Sequence, residues 1–490
     1  MWSAGDRAYR RTMSVLVPSR TPTVDARPAL ALGLVGALVV AVGTLGDGRL
    51  ARTALARPLL EARHAPDVRP TSQVLLFLGL LVLTVAWWLL GRAVRGRADG
   101  PRTVTRAALL WSAPLVLTPP AFSGDLWSYV ANAMISARGL SPYAVTPSAL
   151  SGPIVQAVAA RWRDAPTPYG PVPLLWGDLV GHLTTSPWLL LLSFRGLALV
   201  GLALLAYAVP RLATLAGRDP AAASWLAVAS PFTIVHGVAS AHVDIVLAGL
   251  IALGVLVALR GRRLPAAVLI GLAAAVKVPA LLAVVPVVLA STPAAARWHE
   301  RLRTTVIVAG IAGVVLLGLG PVSGLGNGWI GDLRAPLSGL SRLSLTTQLG
   351  RYAGLVTGHP LVAPAQAIGE AVIALVAVVS LRAGAGTAGD VVRRGALVMS
   401  VAVLLSPVDR LWYFFWALPL LAAAPLATWP RRTTIAVTTV LAWLAPLDPG
   451  QHLPQSRRLM ELGVVLALLA GLDLRRAGAP LAAAVRRARS

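Results

Sequence analysis

Residues 264–291 read LPAAVLIGLAAAVKVPALLAVVPVVLAS, and the fold turns on whether this run is one helix or two. As one helix it carries everything after it to the opposite side of a membrane. As a hairpin turning at Lys277-Val278-Pro279 it returns the chain to its starting side, and proline suits such a break because it cannot continue a helix. The charges decide. With the hairpin, the later loops assigned to the cytoplasmic side carry 13 arginines and the outer ones 6. Basic residues favour the cytoplasmic face, so the hairpin is preferred. Its arms, 264–277 and 279–291, are shorter than the roughly 20 residues that cross hydrocarbon and must be surrounded by other helices.

Composition agrees with a membrane chain. At 56% hydrophobic, 13% charged and mean hydropathy +0.72, the 490 residues hold far more apolar side chains than a soluble core needs. Further candidate spans lie near 29–46, 73–91, 105–121, 187–209, 221–236, 242–259, 304–321, 361–382, 395–407, 411–427, 433–446 and 459–473. With the two hairpin arms this predicts an all-α polytopic protein of about 12–14 transmembrane segments, with both termini cytoplasmic. No cleavage pattern follows the first apolar run, which reads as a retained span. The chain reads as one integral domain over 1–490, with two long outer loops at 122–186 and 322–360. The net charge of +25 comes from arginines that punctuate the spans, so it reads as orientation charge and not as a nucleic-acid surface. The first outer loop, 47–72, runs against this rule with five arginines and three acids. Cysteine is absent, which excludes disulfides and thiolate metal sites.

The first long loop is the chemical part. It opens with SGDLWSYVANAMISARGLSPYAVTP from Ser123 and closes with RWRDAPTPYGP, ending at Pro171. Acids, amides and phenols beside a bilayer are costly unless they line a site. Asp125, Tyr129 and Asn132 fall on one helical face, at i, i+4 and i+7. From spacing alone Asp125 is equally well a helix cap after Ser123-Gly124. Tyr143, Trp162 and Tyr169 are candidates for stacking on sugar rings or for an interfacial aromatic belt, and Asp164 for pairing with Arg161 or Arg163. Arg195 lies eight residues into a span, where a charge costs roughly 2.5–3.5 kcal/mol and calls for a partner such as a phosphate or an outer aspartate. His242 and Asp244 form an H-x-D pair on an outer turn. Substrate hydrogen bonding is one reading and a divalent metal the other, although two ligands fall short of a metal shell. Arg410 sits on another outer turn beside Trp412 and Tyr413. Lys277 is the only lysine among 44 basic residues. It either snorkels from the end of a short helix or places a compact ammonium against a phosphate.

The ordered motifs GDLWSY, GLSPYAVTP and TPYGP resemble the polyprenyl-phosphate-mannose-dependent α-(1→6)-mannosyltransferases of actinobacteria, the MptA/MptB group of GT-C glycosyltransferases. Arg195, His236, His242-Val243-Asp244, Ala275-Val276-Lys277, GLGNGW from Gly324 and PVDRLWYFFW from Pro407 extend the match over roughly 105–420. Trp127, Ser141 and Val243 depart from it, standing where the family has Tyr, Asp and Asn. The resemblance implies a GT-C-like fold with its active site on the extracytoplasmic side of the plasma membrane. It implies transfer of mannose from a polyprenyl-phosphate donor to a glycolipid or mannan acceptor, as in lipomannan synthesis. Asp125 would be the base. Lys277, Arg195 and Arg410 would bind the donor phosphate, and Tyr129, Asn132, Tyr143, Tyr169, His242 and Asp244 the substrates. One carboxylate and one displacement would invert the anomeric centre.

Two other classes fit a multi-spanning chain. A polyprenyl-phosphate-arabinose transferase would share the architecture. A flippase of lipid-linked sugars would be expected to show related halves with broken helices at mid-membrane, whereas no repeat is evident here and the polar groups gather at one face. The topology is directly testable in a chain free of cysteine. Cysteines introduced at 150 and 340 should react with an impermeant thiol reagent from outside the cell, and those at 98 and 388 should not. Protection at 150 would put the first long loop on the wrong side.

Overall fold

A computed structural model describes residues 24–332 and 343–447. The expected span 459–473 lies outside the described residues. Small residues set the first contact. Helices α1 (Arg27–Asp47) and α2 (Val68–Val94) pack antiparallel. They lie so close that a Cβ on Gly79 would stand 2.6 Å from the Val40 backbone nitrogen. Without a hydrophobic drive between helices in lipid, such close packing supplies the attraction. The five arginines of 47–72 are partly accounted for here. Arg63 donates to the carbonyls of Thr44, Leu45 and Gly48 at the end of α1, and Arg69 pairs with Asp47 at 3.0 Å. Cations there satisfy carbonyls that a helix end leaves without partners.

Helix α3 (Gly100–Val116) leads into 122–186, which is folded and not an open loop. It contains α4 (Asp125–Ser136), two single-turn helices and α5 (Pro171–Leu183). Helix α6 (Pro187–Leu215) then crosses the bundle. Next come α7 (Pro220–Ala227), a π-helical turn (Thr233–Ala239) and α8 (Asp244–Leu259), the last two meeting at 114°. The expected span 221–236 is therefore broken. Pro231 interrupts the helical ladder, and Ser230 Oγ accepts the Thr233 N–H at 3.2 Å to start the new turn.

The hairpin is present. Helix α9 (Arg263–Ala274) ends before Lys277, whose backbone is extended, and a 3₁₀ turn (Val278–Ala283) feeds α10 (Val284–Ser291). Helix α11 (Trp298–Val322) returns across the bundle. Then follow α12 (Leu345–Thr357), α13 (Val362–Ala383) and α14 (Ala388–Leu405). The run 411–427 is also broken, into a 3₁₀ turn of aromatics (Leu411–Trp416) and α15 (Leu418–Ala423), before α16 (Thr428–Leu444). Pro419 starts α15, and Pro425 lies just past its end.

Among the described residues, α1, α2, α6, α11 and α13 are each long and apolar enough to cross a membrane, and no strand occurs. The chain is an all-α polytopic membrane protein. Its loops collect at two ends. At one, Gly96 N–H meets Asp219, and Arg301 ties the carbonyls of Ala294 and Arg382 together. At the other, Arg49 meets Pro120, Gly328 packs on Tyr143, and the 275–276 turn meets Gly170. The second end holds all the motifs of the first long loop.

Candidate active site

Two strained turns build the site. Among the described residues, Phe122 (φ 63°) and Ala241 (φ 50°) are the non-glycine residues in the left-handed region, each three positions before an aspartate. Such a conformation costs roughly 1–2 kcal/mol and persists only where its surroundings impose it. Ser240 Oγ donates to the Ala121 carbonyl at 2.8 Å and joins the turns directly. Arg195, fully buried in α6, does the rest. Its guanidinium donates to the carbonyls of Leu115, Pro119 (3.3 Å) and Ala239 (2.9 Å). Leu115 lies in the last turn of α3 and Ala239 ends the π-helical turn, where carbonyls lack helical partners and the helix dipole favours a cation.

Asp125 and Asp244 thus open α4 and α8 from braced turns, at 1% and 0% exposure. The Asp125 carboxylate does not cap its own helix. Oδ1 accepts from Trp162 Nε1 at 3.0 Å and Arg161 Nη2 at 3.3 Å. Oδ2 makes no hydrogen bond and lies 3.9 Å from His242 Nδ1. The His242 ring stacks on Trp412 at 3.6 Å, and both its nitrogens are also without hydrogen bonds. Asp244 Oδ1 accepts from Trp416 Nε1 at 2.8 Å and faces Lys277 Nζ at 3.4 Å, while Oδ2 has no partner. Buried polar atoms are nearly always satisfied, so four such atoms in one cluster mark a place built for a ligand.

The hairpin tip completes the cluster. Gly170 N–H and Val172 N–H donate to the carbonyls of Val276 (3.2 Å) and Ala275 (2.9 Å). A Cβ on Gly170 would stand 2.3 Å from the Ala275 oxygen, so only glycine permits the approach. This docking brings Tyr169 to Lys277, whose Nζ lies 5.3 Å from the Tyr169 ring centre and 3.8 Å from that of Tyr413. Tyr129 and Tyr169 share a hydrogen bond at 3.0 Å. Burial, then neighbouring charge, pushes both phenols well above their ordinary pKa, so they remain protonated donors. Asp125, Tyr129, Asn132, Trp162 and Tyr169 line one narrow cleft.

Two expected site residues are placed differently. Arg195 lies inside the bundle and braces the two turns, its terminal nitrogens on three backbone carbonyls and its buried Nε without a hydrogen bond. Tyr143 does not line that cleft; Gly328 packs against its Cβ and the near edge of its ring, and its hydroxyl donates to the Tyr169 carbonyl at 3.1 Å. Arg410 is outside the acid cluster. It lines, with Asp409, an apolar cavity of about 410 Å³ between α14, the aromatic 3₁₀ turn and α16. Burial raises the Asp409 pKa to about 7. The cavity and the acid cluster share the aromatic 3₁₀ turn, whose Leu411 and Phe414 line the one and whose Trp412 and Trp416 contact the other. Arg161, Trp412 and Trp416 belong to the site although sequence reasoning gave them no such role. The aromatic run WYFFW was the available signal for the tryptophans. The departure at Trp127 is structural: its indole donates to the Arg49 carbonyl at 3.1 Å and anchors the first loop. Among the described residues no three His, Cys, Asp or Glu side chains converge as a metal shell requires, and Lys277 already occupies one side of Asp244.

Comparison with known proteins agrees over most of the chain. Residues 30–293 match the family model described as alpha-(1->6)-mannopyranosyltransferase, N-terminal domain, and residues 341–476 match the MptB C-terminal domain. A probable alpha-(1->6)-mannopyranosyltransferase of Mycolicibacterium smegmatis is 30% identical, covering 91% of this chain and 88% of its own length. Alpha-(1->6)-mannopyranosyltransferase A of Mycobacterium tuberculosis is 30% identical over 86% of this chain and 84% of its own. Alpha-(1->6)-mannopyranosyltransferase B of Corynebacterium glutamicum is 29% identical over 86% and 77%.

The geometry separates two cations that sequence alone groups together. Arg195→Gln should lower stability by on the order of 3 kcal/mol in detergent, since buried carbonyls lose a charged donor, and the remaining activity should keep its donor KM. Lys277→Gln, which can still donate to Asp244, should melt near the wild type yet lose roughly 100-fold in kcat. Equal losses of kcat in the two variants, at equal stability, would contradict the distinction.

Proposed function

The chain belongs to the alpha-(1->6)-mannopyranosyltransferase family and is a multi-pass membrane mannosyltransferase, and from that premise we propose a donor, an acceptor and a stereochemical course. The donor is polyprenyl-phosphate mannose. The acceptor is a mannan or lipomannan chain, and the α-(1→6) linkage forms with inversion on the extracytoplasmic side of the plasma membrane. Residues 1–490 act as one transferase unit, with 122–186 supplying most of the site and 322–360 flanking it.

One observation supports this reading above the others. A carboxylate oxygen without a hydrogen bond, Asp125 Oδ2, belongs to a buried cluster that also holds an ammonium, Lys277 Nζ, and that cluster shares the aromatic 3₁₀ turn with the apolar cavity lined by Asp409 and Arg410. A lipid-phosphate sugar needs those three things together: an apolar path for its tail, a cation for its phosphate and a base for the acceptor.

The step follows from the atoms. The acceptor 6-hydroxyl gives its proton to Asp125 Oδ2 as its oxygen attacks the anomeric carbon. The bond from that carbon to the phosphate oxygen breaks, and its electron pair leaves on the phosphate. Lys277, held by Asp244 and the Tyr413 face, stabilises the leaving charge, with Arg410 nearer the lipid. Trp162 and Arg161 fix Oδ1 so that Oδ2 faces the acceptor. Tyr129, Tyr169 and Asn132 line the cleft beside it and are placed to hydrogen-bond sugar hydroxyls. His242, flat on Trp412, offers a further polar edge to the substrates.

Asp125→Asn keeps the shape and removes the basicity. With labelled polyprenyl-phosphate mannose and an α-mannoside acceptor, it should lose roughly 100-fold or more in transfer rate while donor binding and protein level stay near wild type. A variant retaining more than a tenth of the rate would remove Asp125 from the role of base. Polyprenyl-phosphate arabinose, supplied in parallel, should give no product with the wild type.

A further inference from the structure

At the end of the bundle away from the strained turns, a cleft of about 870 Å³ opens between the first turns of α3, the last turns of α6 and the start of α7. Ala206 and Pro210 form part of its apolar wall, and Arg102, Arg106, Arg211 and Asp99 its charged lining. Asp99 is already taken, since both its oxygens accept from Arg97 at 2.9 Å. No carboxylate among the described residues forms a salt bridge with Arg102, Arg106 or Arg211. Arg211 is held in place. Its guanidinium lies 3.9 Å over the Tyr207 ring and donates to the Tyr207 carbonyl at 2.7 Å, while Arg260 reaches the Tyr207 hydroxyl at 3.4 Å. Nearby at the same end Arg431 is crowded by Arg95, Arg218 and Arg432, and burial followed by their repulsion draws its pKa down.

Like charges gather at a cost that a bound anion removes. Position identifies the anion. The cleft lies at the end of α6, a helix long and apolar enough to cross a membrane, and α6 leaves Val200 exposed on the way to it. Guanidinium groups meet phosphate oxygens two at a time, and the stacked Arg211 is preorganised to do so. We propose that this cleft binds the phosphate headgroup of an anionic phospholipid of the surrounding bilayer, with the acyl chains lying along α6. The site is separate from the transferase centre and does not depend on the identity of the donor.

The test compares the full-length protein, purified in detergent and reconstituted in nanodiscs, with a triple variant, R102Q/R106Q/R211Q. Native mass spectrometry counts retained phosphatidylglycerol against phosphatidylcholine. The wild type should retain the anionic lipid selectively, with retention falling roughly fivefold for each arginine removed. R303Q, which alters an exposed arginine on α11, should bind as the wild type does. If the glutamine variant fails to fold, R102K/R106K/R211K should fold and retain part of the selectivity. Melting temperature in nanodiscs should rise with phosphatidylglycerol for the wild type and R303Q and not for R102Q/R106Q/R211Q. Equal retention by wild type and triple variant would overturn the proposal. Displacement of the lipid by millimolar inorganic phosphate would also overturn it, in favour of a free-anion site.

Discussion

The buried guanidinium of Arg195 is the constraint on which the arrangement of this protein depends. A charge inside a helical bundle must find partners, and here they are the carbonyls left open where α3 and the π-helical turn end. Those ends would otherwise carry unsatisfied acceptors in a dry interior. The same interaction therefore solves two problems, and it ties together two segments more than a hundred residues apart. Each segment then turns through a left-handed non-glycine residue and delivers an aspartate into the site.

The remaining parts assemble on that frame by backbone contact more than by charge. The TPYGP segment docks on the hairpin tip through two main-chain hydrogen bonds, with Gly170 allowing the approach. Lys277 thereby reaches a nest of aromatic faces and the Asp244 carboxylate. The aromatic 3₁₀ turn has two sides. It gives Trp412, Tyr413 and Trp416 to the site, and Leu411 and Phe414 to the apolar cavity. A single short element thus separates polar chemistry from an apolar cavity. That division suits a substrate that is half sugar and half hydrocarbon.

Much of this was legible in the residues. The break at Lys277-Val278-Pro279 could be read because a lone lysine before a proline interrupts an apolar run. Asp125, Tyr129 and Asn132 could be grouped because helical spacing puts them on one face. Arg195 announced itself as a buried charge, but its partner could not be read. Backbone carbonyls at helix ends are invisible in a sequence until the breaks that free them are known, and the breaks at Ser230-Pro231 and near 411–419 are tertiary outcomes. Tyr143 illustrates the same limit, since an aromatic beside a polar loop looks the same whether it lines the cleft or packs against Gly328. The partnership of Arg161 and Trp162 with Asp125 spans nearly forty residues, and no local pattern encodes it.

The proposed transfer uses one base and one displacement, and product stereochemistry tests it most directly. Purified enzyme would be given β-linked polyprenyl-phosphate mannose labelled with carbon-13 at C1, together with an α-mannoside acceptor. The one-bond carbon–proton coupling at the labelled centre then reports the configuration of the new linkage. A single displacement assisted by Asp125 predicts an exclusively α product and no mannosyl group bound to the protein. A β product, or a covalent mannosyl-enzyme trapped during turnover, would contradict it.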